Sequence, residues 1–185
     1  VVGANVGAYS LYAAKRGVRA FAFEPEAMNF QLLYDNIFLN RVQHLCTPIP
    51  IGLGEATALE TLFLKSVSKG DALHGLGRKS LQLRDPSAAT LRIPVLAARL
   101  DDLIDIFQLP RPTKLKIDVD GNELQVLRGA TSALDGVDEV HVEVDTDREE
   151  SRQAVELLEG KGFRLAQKAS NGMAWCPNQW NYLFS

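Results

Sequence analysis

Cysteine is scarce in this chain: there are two in 185 residues, Cys46 and Cys176. They lie far apart and form neither a metal nor a redox spacing, so the expectation is buried free thiols in a reducing cytosol. Of the three histidines, His44 and His74 have no partners at metal-ligand spacing. No metal site is expected, and Ser, His and Asp do not assemble into a nucleophilic triad pattern. No window approaches the ~18 uninterrupted apolar residues that span a membrane. There is no basic excess either. The net charge of −3 speaks against a nucleic-acid partner, which requires a concentrated basic surface. A secretory leader is missing, because the first residues form a glycine turn rather than a basic-then-apolar segment, and a cytoplasmic location is expected. The chain does not begin with Met. Val1-Val2 reads as the tail of a truncated first strand, and the natural protein is expected to extend upstream. No repeat or low-complexity tract is present.

What remains is an ordinary globular composition, 46% hydrophobic and 23% charged, with a length that suits one domain over 1–185. The charge is uneven. Residues 65–99 carry seven basic side chains (Lys65, Lys69, Arg78, Lys79, Arg84, Arg92, Arg99) against Asp71 and Asp85. Residues 135–160 hold ten acids against Arg148 and Arg152. A solvated loop and a solvated helix account for both, and an anionic substrate meeting the basic stretch is the sharper alternative. Periodicity predicts helices over 7–16, 27–39, 100–107, 122–129 and 148–160. Strands are predicted over 19–23, 44–51, 57–64, 91–96, 114–119, 138–144, 163–168 and 180–184, with a loop insertion over 66–90. In the first helix Tyr9, Ala13 and Ala14 fall on one face, and in the second Met28, Leu32, Leu33 and Ile37. Strands alternating with helices imply right-handed crossovers and a mostly parallel sheet. In such a sheet, ligands bind beyond the carboxyl ends of the strands.

The segment Val2-Gly-Ala-Asn-Val-Gly7 joins the first strand to the first helix. Its glycines permit a tight turn and close approach of a ligand to the backbone, and the helix N-terminus offers free N–H groups. Glu24 follows Gly3 by 21 residues, at the end of the second strand. A carboxylate there can accept both ribose hydroxyls of an adenosine cofactor. The loop reads G-x-x-x-G rather than G-x-G-x-x-G, without the spacing for a pyrophosphate. That favours S-adenosylmethionine, whose amino-acid tail needs only a close glycine turn. Gly52, in Ile51-Gly-Leu-Gly54, is placed beside the adenine or in an ordinary turn. Asn36 and Asn40 are assigned capping roles.

The second constellation is Lys116-Ile-Asp-Val-Asp-Gly-Asn-Glu123, which closes a strand and opens a helix. Asp118 is placed at the strand end and Asp120 two residues on, with Gly121 turning the chain and Glu123 complementing the helix dipole. Two carboxylates there can polarise or orient an attacking hydroxyl, hold a metal, or serve as structural capping groups. In Val140-His-Val-Glu-Val144, alternation puts His141, Glu143 and Asp145 on one side and the valines on the other. Glu143 is a further catalytic candidate, and His141 a satisfied structural histidine.

Val2-Gly-Ala-Asn-Val-Gly7, Phe23-Glu-Pro25 and Lys116-Ile-Asp-Val-Asp-Gly-Asn-Glu-Leu-Gln-Val-Leu-Arg-Gly-Ala130 together resemble the FkbM family of S-adenosylmethionine-dependent methyltransferases. The resemblance runs from residue 1 to about 145, and Asn181-Tyr-Leu-Phe184 is similar to the closing strand of that family. It implies a Rossmann-like α/β sandwich of the class I methyltransferase type, with helices on both faces of the sheet. It also implies methylation of hydroxyl groups on sugars, glycans or natural products. Carried over by residue, it places the cofactor on Gly3, Ala4, Asn5, Gly7 and Glu24, and Asp118 and Asp120 at the active-site edge. Val1 stands where the family usually has Asp, and Asp120 where it usually has Glu. Competing readings are a non-catalytic cofactor-binding module of the same fold and, behind it, a nucleotide-dependent dehydrogenase.

Overall fold

The computed structural model describes residues 1–64, 68–72, 74–77, 91–170 and 178–185. Cys176 and, from the basic stretch, Lys65, Arg78, Lys79, Arg84 and Asp85 lie outside them. The described chain divides into two compact units: Val1–Leu53 with Ala58–Ala97, and Gly54–Thr57 with Ala98–Ser185.

The first unit opens with helix α1 (Ala8–Lys15), strand β1 (Ala20–Phe23), helix α2 (Ala27–Leu39) and strand β2 (Cys46–Ile49). β1 and β2 pair in parallel with Ala20 opposite Cys46, and Val2 forms a parallel bridge to Phe23. Helix α2 starts where Glu26 accepts the Asn29 N–H at 2.7 Å, a side-chain cap on an otherwise orphaned donor. The core here is built from small and branched side chains: Ala4, Ala14, Ala20, Ala22, Leu33, Ile37, Val42 and Cys46. Burial pushes the Cys46 thiol up from its ordinary value, so it stays protonated and packs as a small hydrophobe.

Two expected helix faces need correction. In α1 the buried pair is Ser10 and Ala14, while Tyr9 is exposed. In α2 the buried row is Asn29, Leu33 and Ile37, and Met28 is exposed. In α2 the inward Asn29 is held by the segment around Asp71, and in α1 the small Ser10 takes the buried position.

The unit also contains a sheet in the order β3 (Gly52–Leu53), β6 (Leu91–Ala98), β4 (Ala58–Leu64), β5 (Gly75–Leu76), with β4 antiparallel to both β5 and β6. The strands expected over 57–64 and 91–96 form its centre, with Ala58 opposite Ala97 and Leu64 opposite Leu91. β3 and β5 are too short to leave a periodic signal. β5 falls inside the expected loop insertion.

The second unit contains α3 (Leu100–Phe107), β7 (Lys114–Ile117), α4 (Glu123–Arg128), β8 (Glu139–Asp145), α5 (Glu149–Gly160), β9 (Leu165–Ser170) and β10 (Gln179–Phe184). Its sheet runs β7-β8-β10-β9. β7 and β8 are parallel, as crossover connections require, whereas β10 runs antiparallel to both β8 and β9. This sheet is therefore mixed. Val140, Val142 and Val144 of β8 are buried, while Glu139, His141, Glu143 and Asp145 are half-buried, which is the alternation of a strand with two unlike faces. α4 carries Arg128-Gly129-Ala130 at its end. A Cβ added at Gly129 would overlap the Gly54 carbonyl oxygen, so close backbone approach requires glycine there.

Candidate functional site

The first group of site residues surrounds the turn between Val2 and α1. Gly3, Asn5 and Gly7 all have positive φ, at 71°, 48° and 96°. Asn is among the few non-glycine residues that tolerate this region. A Cβ on Gly7 would come within 2.7 Å of Leu33 Cδ1, so both conformation and packing demand glycine. The Ala4 N–H donates to the Phe23 carbonyl at 2.9 Å, and the Gly7 N–H to the Ala4 carbonyl at 2.8 Å. Asn36 of α2 donates from Nδ2 to the Val6 carbonyl at 2.8 Å. Its role is thus to pin the loop rather than to cap its own helix.

Glu24 is buried just beyond β1. Its Oε2 accepts the Asn5 N–H at 2.8 Å and its Oε1 the Glu26 N–H at 2.9 Å. The Asn5 Nδ2 donates to the Asp71 carbonyl at 3.2 Å, while Asn5 Oδ1 is buried and has no hydrogen-bond partner among the described residues. Gly3, Ala4, Asn5, Gly7 and Glu24 are thereby brought together. Gly52 has a different neighbour: a Cβ there would lie 2.8 Å from Leu76 Cδ2. Asn29 and the segment around Asp71 went unseen in the sequence. A buried amide in a helix carries no periodic signal.

The second group lies beyond β7 and on β8, within the second unit. β7 ends at Ile117, so Asp118 stands just past its carboxyl end rather than inside it. Asp120 has φ 54° and Gly121 φ 108°, a sharp left-handed turn between strand and helix, in a region that Asp, like Asn, adopts more readily than most residues. Lys116, 9% exposed, donates from Nζ to Asp118 Oδ2 at 2.7 Å. Lys116 stands opposite His141 in the β7–β8 register, and burial first, then the Lys116 ammonium, hold the His141 imidazole below its ordinary value. Asn181 of β10 hydrogen-bonds His141, which makes it the satisfied histidine expected.

Glu123 is buried and accepts the Gly121 N–H at 3.0 Å; burial pushes its carboxyl up to about 7. Glu143 accepts from Gln179 Nε2 at 3.3 Å. Burial, then the charges of Asp118, Asp120 and Glu123, push it up to about 8, with Lys116 acting in the opposite sense. Asp118, Asp120 and Glu143 thus share one electrostatic neighbourhood, joined by Lys116, Glu123, His141 and Gln179. Among the described residues no group of three or more His, Cys, Asp or Glu is disposed to hold a metal. Nor is any helix among them long and apolar enough to cross a membrane. Of the described basic stretch, Arg92 lies over the Phe63 ring at 5.2 Å and Arg99 pairs with Asp101 and Asp102.

The family description "Methyltransferase FkbM domain" matches residues 2–165. Methyltransferase 1 of Beauveria bassiana is 30% identical, over 95% of this chain and 74% of that protein. The hexuronic acid methyltransferase AglP of Haloferax volcanii is 28% identical, over 77% of this chain and 54% of that protein. Among solved structures, the methyltransferase FkbM of Methylobacillus flagellatus KT superimposes with a TM-score of 0.65 at 17% identity, covering 98% of this chain and 42% of that one. The fibrillarin of Aeropyrum pernix, solved with natively bound S-adenosyl-L-methionine, superimposes with a TM-score of 0.53 at 10% identity, covering 100% of this chain and 64% of that one. The chain therefore spans about half the length of some relatives and three quarters of others, and the Rossmann-like methyltransferase fold is common to these solved structures.

Proposed function

Because the chain belongs to the FkbM methyltransferase family, we propose that it transfers a methyl group from S-adenosylmethionine to an oxygen of a sugar, glycan or natural product, most simply a hydroxyl. Asn5 supports the cofactor assignment: its Oδ1 is buried and unpartnered among the described residues, in a loop whose backbone is opened by left-handed residues beside the Glu24 carboxylate. Glu24 would accept the ribose hydroxyls, and Gly3, Ala4, Asn5 and Gly7 would hold the amino-acid end. S-adenosylmethionine supplies a methyl group on a sulfonium, which an oxygen can attack in line.

The observation that carries the reaction type is the Lys116–Asp118 pair at 2.7 Å. Lys116 fixes the carboxylate just beyond β7, where Asp118 would take the proton of the attacking hydroxyl. Glu143, at about 8, is mostly protonated at neutral pH, so it would donate a hydrogen bond to the acceptor rather than remove its proton. Holding the hydroxyl in register is the larger contribution, since positioning can account for ~7–11 kcal/mol of a barrier.

The test is transfer of a labelled methyl to a panel of sugars, uronic acids and natural products, repeated with Asp118→Asn. A hydroxyl acceptor predicts a kcat lower by about 10²–10⁴, with affinity for S-adenosylhomocysteine little changed. A variant that melts early yet turns over normally when folded would make Asp118 a structural group. The name of the Haloferax relative, a hexuronic acid methyltransferase, makes a carboxylate acceptor the second reading. A carboxylate has no proton to lose, so Asp118→Asn would then leave kcat intact, and the product would be an alkali-labile ester instead of an ether.

A further inference from the structure

Asn29 is 1% exposed, yet its side chain serves a surface segment. Its Nδ2 donates to the Asp71 carbonyl at 2.9 Å, and its Oδ1 accepts the Gly70 N–H at 2.8 Å. Both ends of a buried amide are thereby committed to the strap formed by residues 68–72. The strap rests on the glycine loop: a Cβ at Gly70 would lie 3.6 Å from Val6 Cγ1, and the Asp71 carbonyl also accepts from Asn5 Nδ2 at 3.2 Å.

A carbonyl oxygen can only accept, so this contact decides which end of the Asn5 amide is which. The nitrogen is held on the strap, and the oxygen becomes the buried acceptor without a partner among the described residues. Buried polar groups in folded proteins almost always find a partner, and a bound N–H donor would supply one. With the ribose hydroxyls on Glu24, the strong donor at the amino-acid end of the cofactor is its ammonium.

We propose that the strap 68–72, held by Asn29, orients the Asn5 amide so that its oxygen receives the cofactor's ammonium group. Asn29 is then a positioning residue that acts through Asn5, and this rests on the reading that S-adenosylmethionine occupies the Gly3–Gly7 loop.

The experiment compares the affinity of the protein for S-adenosylhomocysteine and for its deamino analogue, identical but for the missing amino group. Wild type should prefer the first by about tenfold or more, the scale of a hydrogen bond to a charged group. Asn5→Ala and Asn29→Leu should lose that preference. Gly70→Pro should lose it as well. Gly70 has φ 78° and donates to Asn29, whereas proline is fixed near −65° and has no N–H. Gly70 is exposed, so this variant breaks the strap without disturbing the core, and a ratio measured on folded protein is not mimicked by lost stability. Wild type binding both ligands equally, or Asn29→Leu and Gly70→Pro keeping the preference, overturns the inference while leaving the cofactor site standing. Wild type that binds neither ligand overturns the cofactor reading and the inference together.

Discussion

Glu24 ties two backbone amides at once, those of Asn5 and Glu26, so it shapes the loop. Glu24→Ala should weaken S-adenosylmethionine binding by about 1.5–3 kcal/mol, the range for a hydrogen bond to a charged group. Calorimetry returning an unchanged affinity would remove Glu24 from the ribose site. Gly7 is a case in which the fold itself already makes a demand. With φ 96° and a would-be Cβ only 2.7 Å from Leu33 Cδ1, Gly7→Ala combines a left-handed penalty of roughly 1–2 kcal/mol with displacement of a fully buried leucine. A melting temperature several degrees lower is expected, without any ligand present. An alanine variant as stable as wild type would contradict the described loop geometry.

Helix α2 is the element that holds the loop in shape. Glu26, Asn29, Leu33 and Asn36 follow one another along one side of it. They reach, in turn, the helix's own N-terminus, the strap, the flank of Gly7 and the Val6 carbonyl. Asn36→Ala removes only the last of these, and should cost about 0.5–1.5 kcal/mol of stability with a measurable loss of S-adenosylhomocysteine affinity. Loss of stability with affinity intact would assign Asn36 to the fold alone. The bounds of α2 and α3 were legible to the residue, because apolar spacing, Pro25 and the flanking turns agree. The inward face of α2 was not, since hydrophobic periodicity points to Met28 and Leu32 and is blind to an amide that a loop has drawn inside. β3 and β5, at two residues each, exist only through their pairing. The same limit applies to the acidic group. Asp118, Asp120 and Glu143 stood out as strand-end carboxylates, but Lys116 beside His141 depends on the β7–β8 register, which no local pattern announces. Gly52 shows a different limit. A glycine that suits a ligand also suits a neighbouring leucine, and here Leu76 is that neighbour.

Stability belongs to the whole molecule, and two carboxyls give it an unusual dependence on pH. Glu123 and Glu143 move from an ordinary 4.5 to about 7 and about 8 in the folded chain. Below 4.5 both states hold these protons, and neither group affects the balance. Above that value the unfolded chain releases them while the folded chain keeps them, so the folded state binds more protons and stability falls as pH rises. The loss from Glu123 is complete just above about 7 and that from Glu143 just above about 8. This is the reverse of a salt-bridged carboxylate, whose contribution fades toward acid. His141 acts in a separate window: its folded value lies below the ordinary 6.5, so it costs stability only as pH falls under that point. Between roughly neutral pH and pH 9, Glu143 therefore dominates among these groups. The melting temperature of wild type should decline across that interval. Glu143→Gln keeps the size of the side chain and removes its titration, so it should flatten the decline and melt above wild type at the alkaline end. Parallel melting curves for the two proteins across the interval would show that Glu143 is already ionised at neutral pH. It would then compete with Asp118 for the proton of the acceptor instead of donating one.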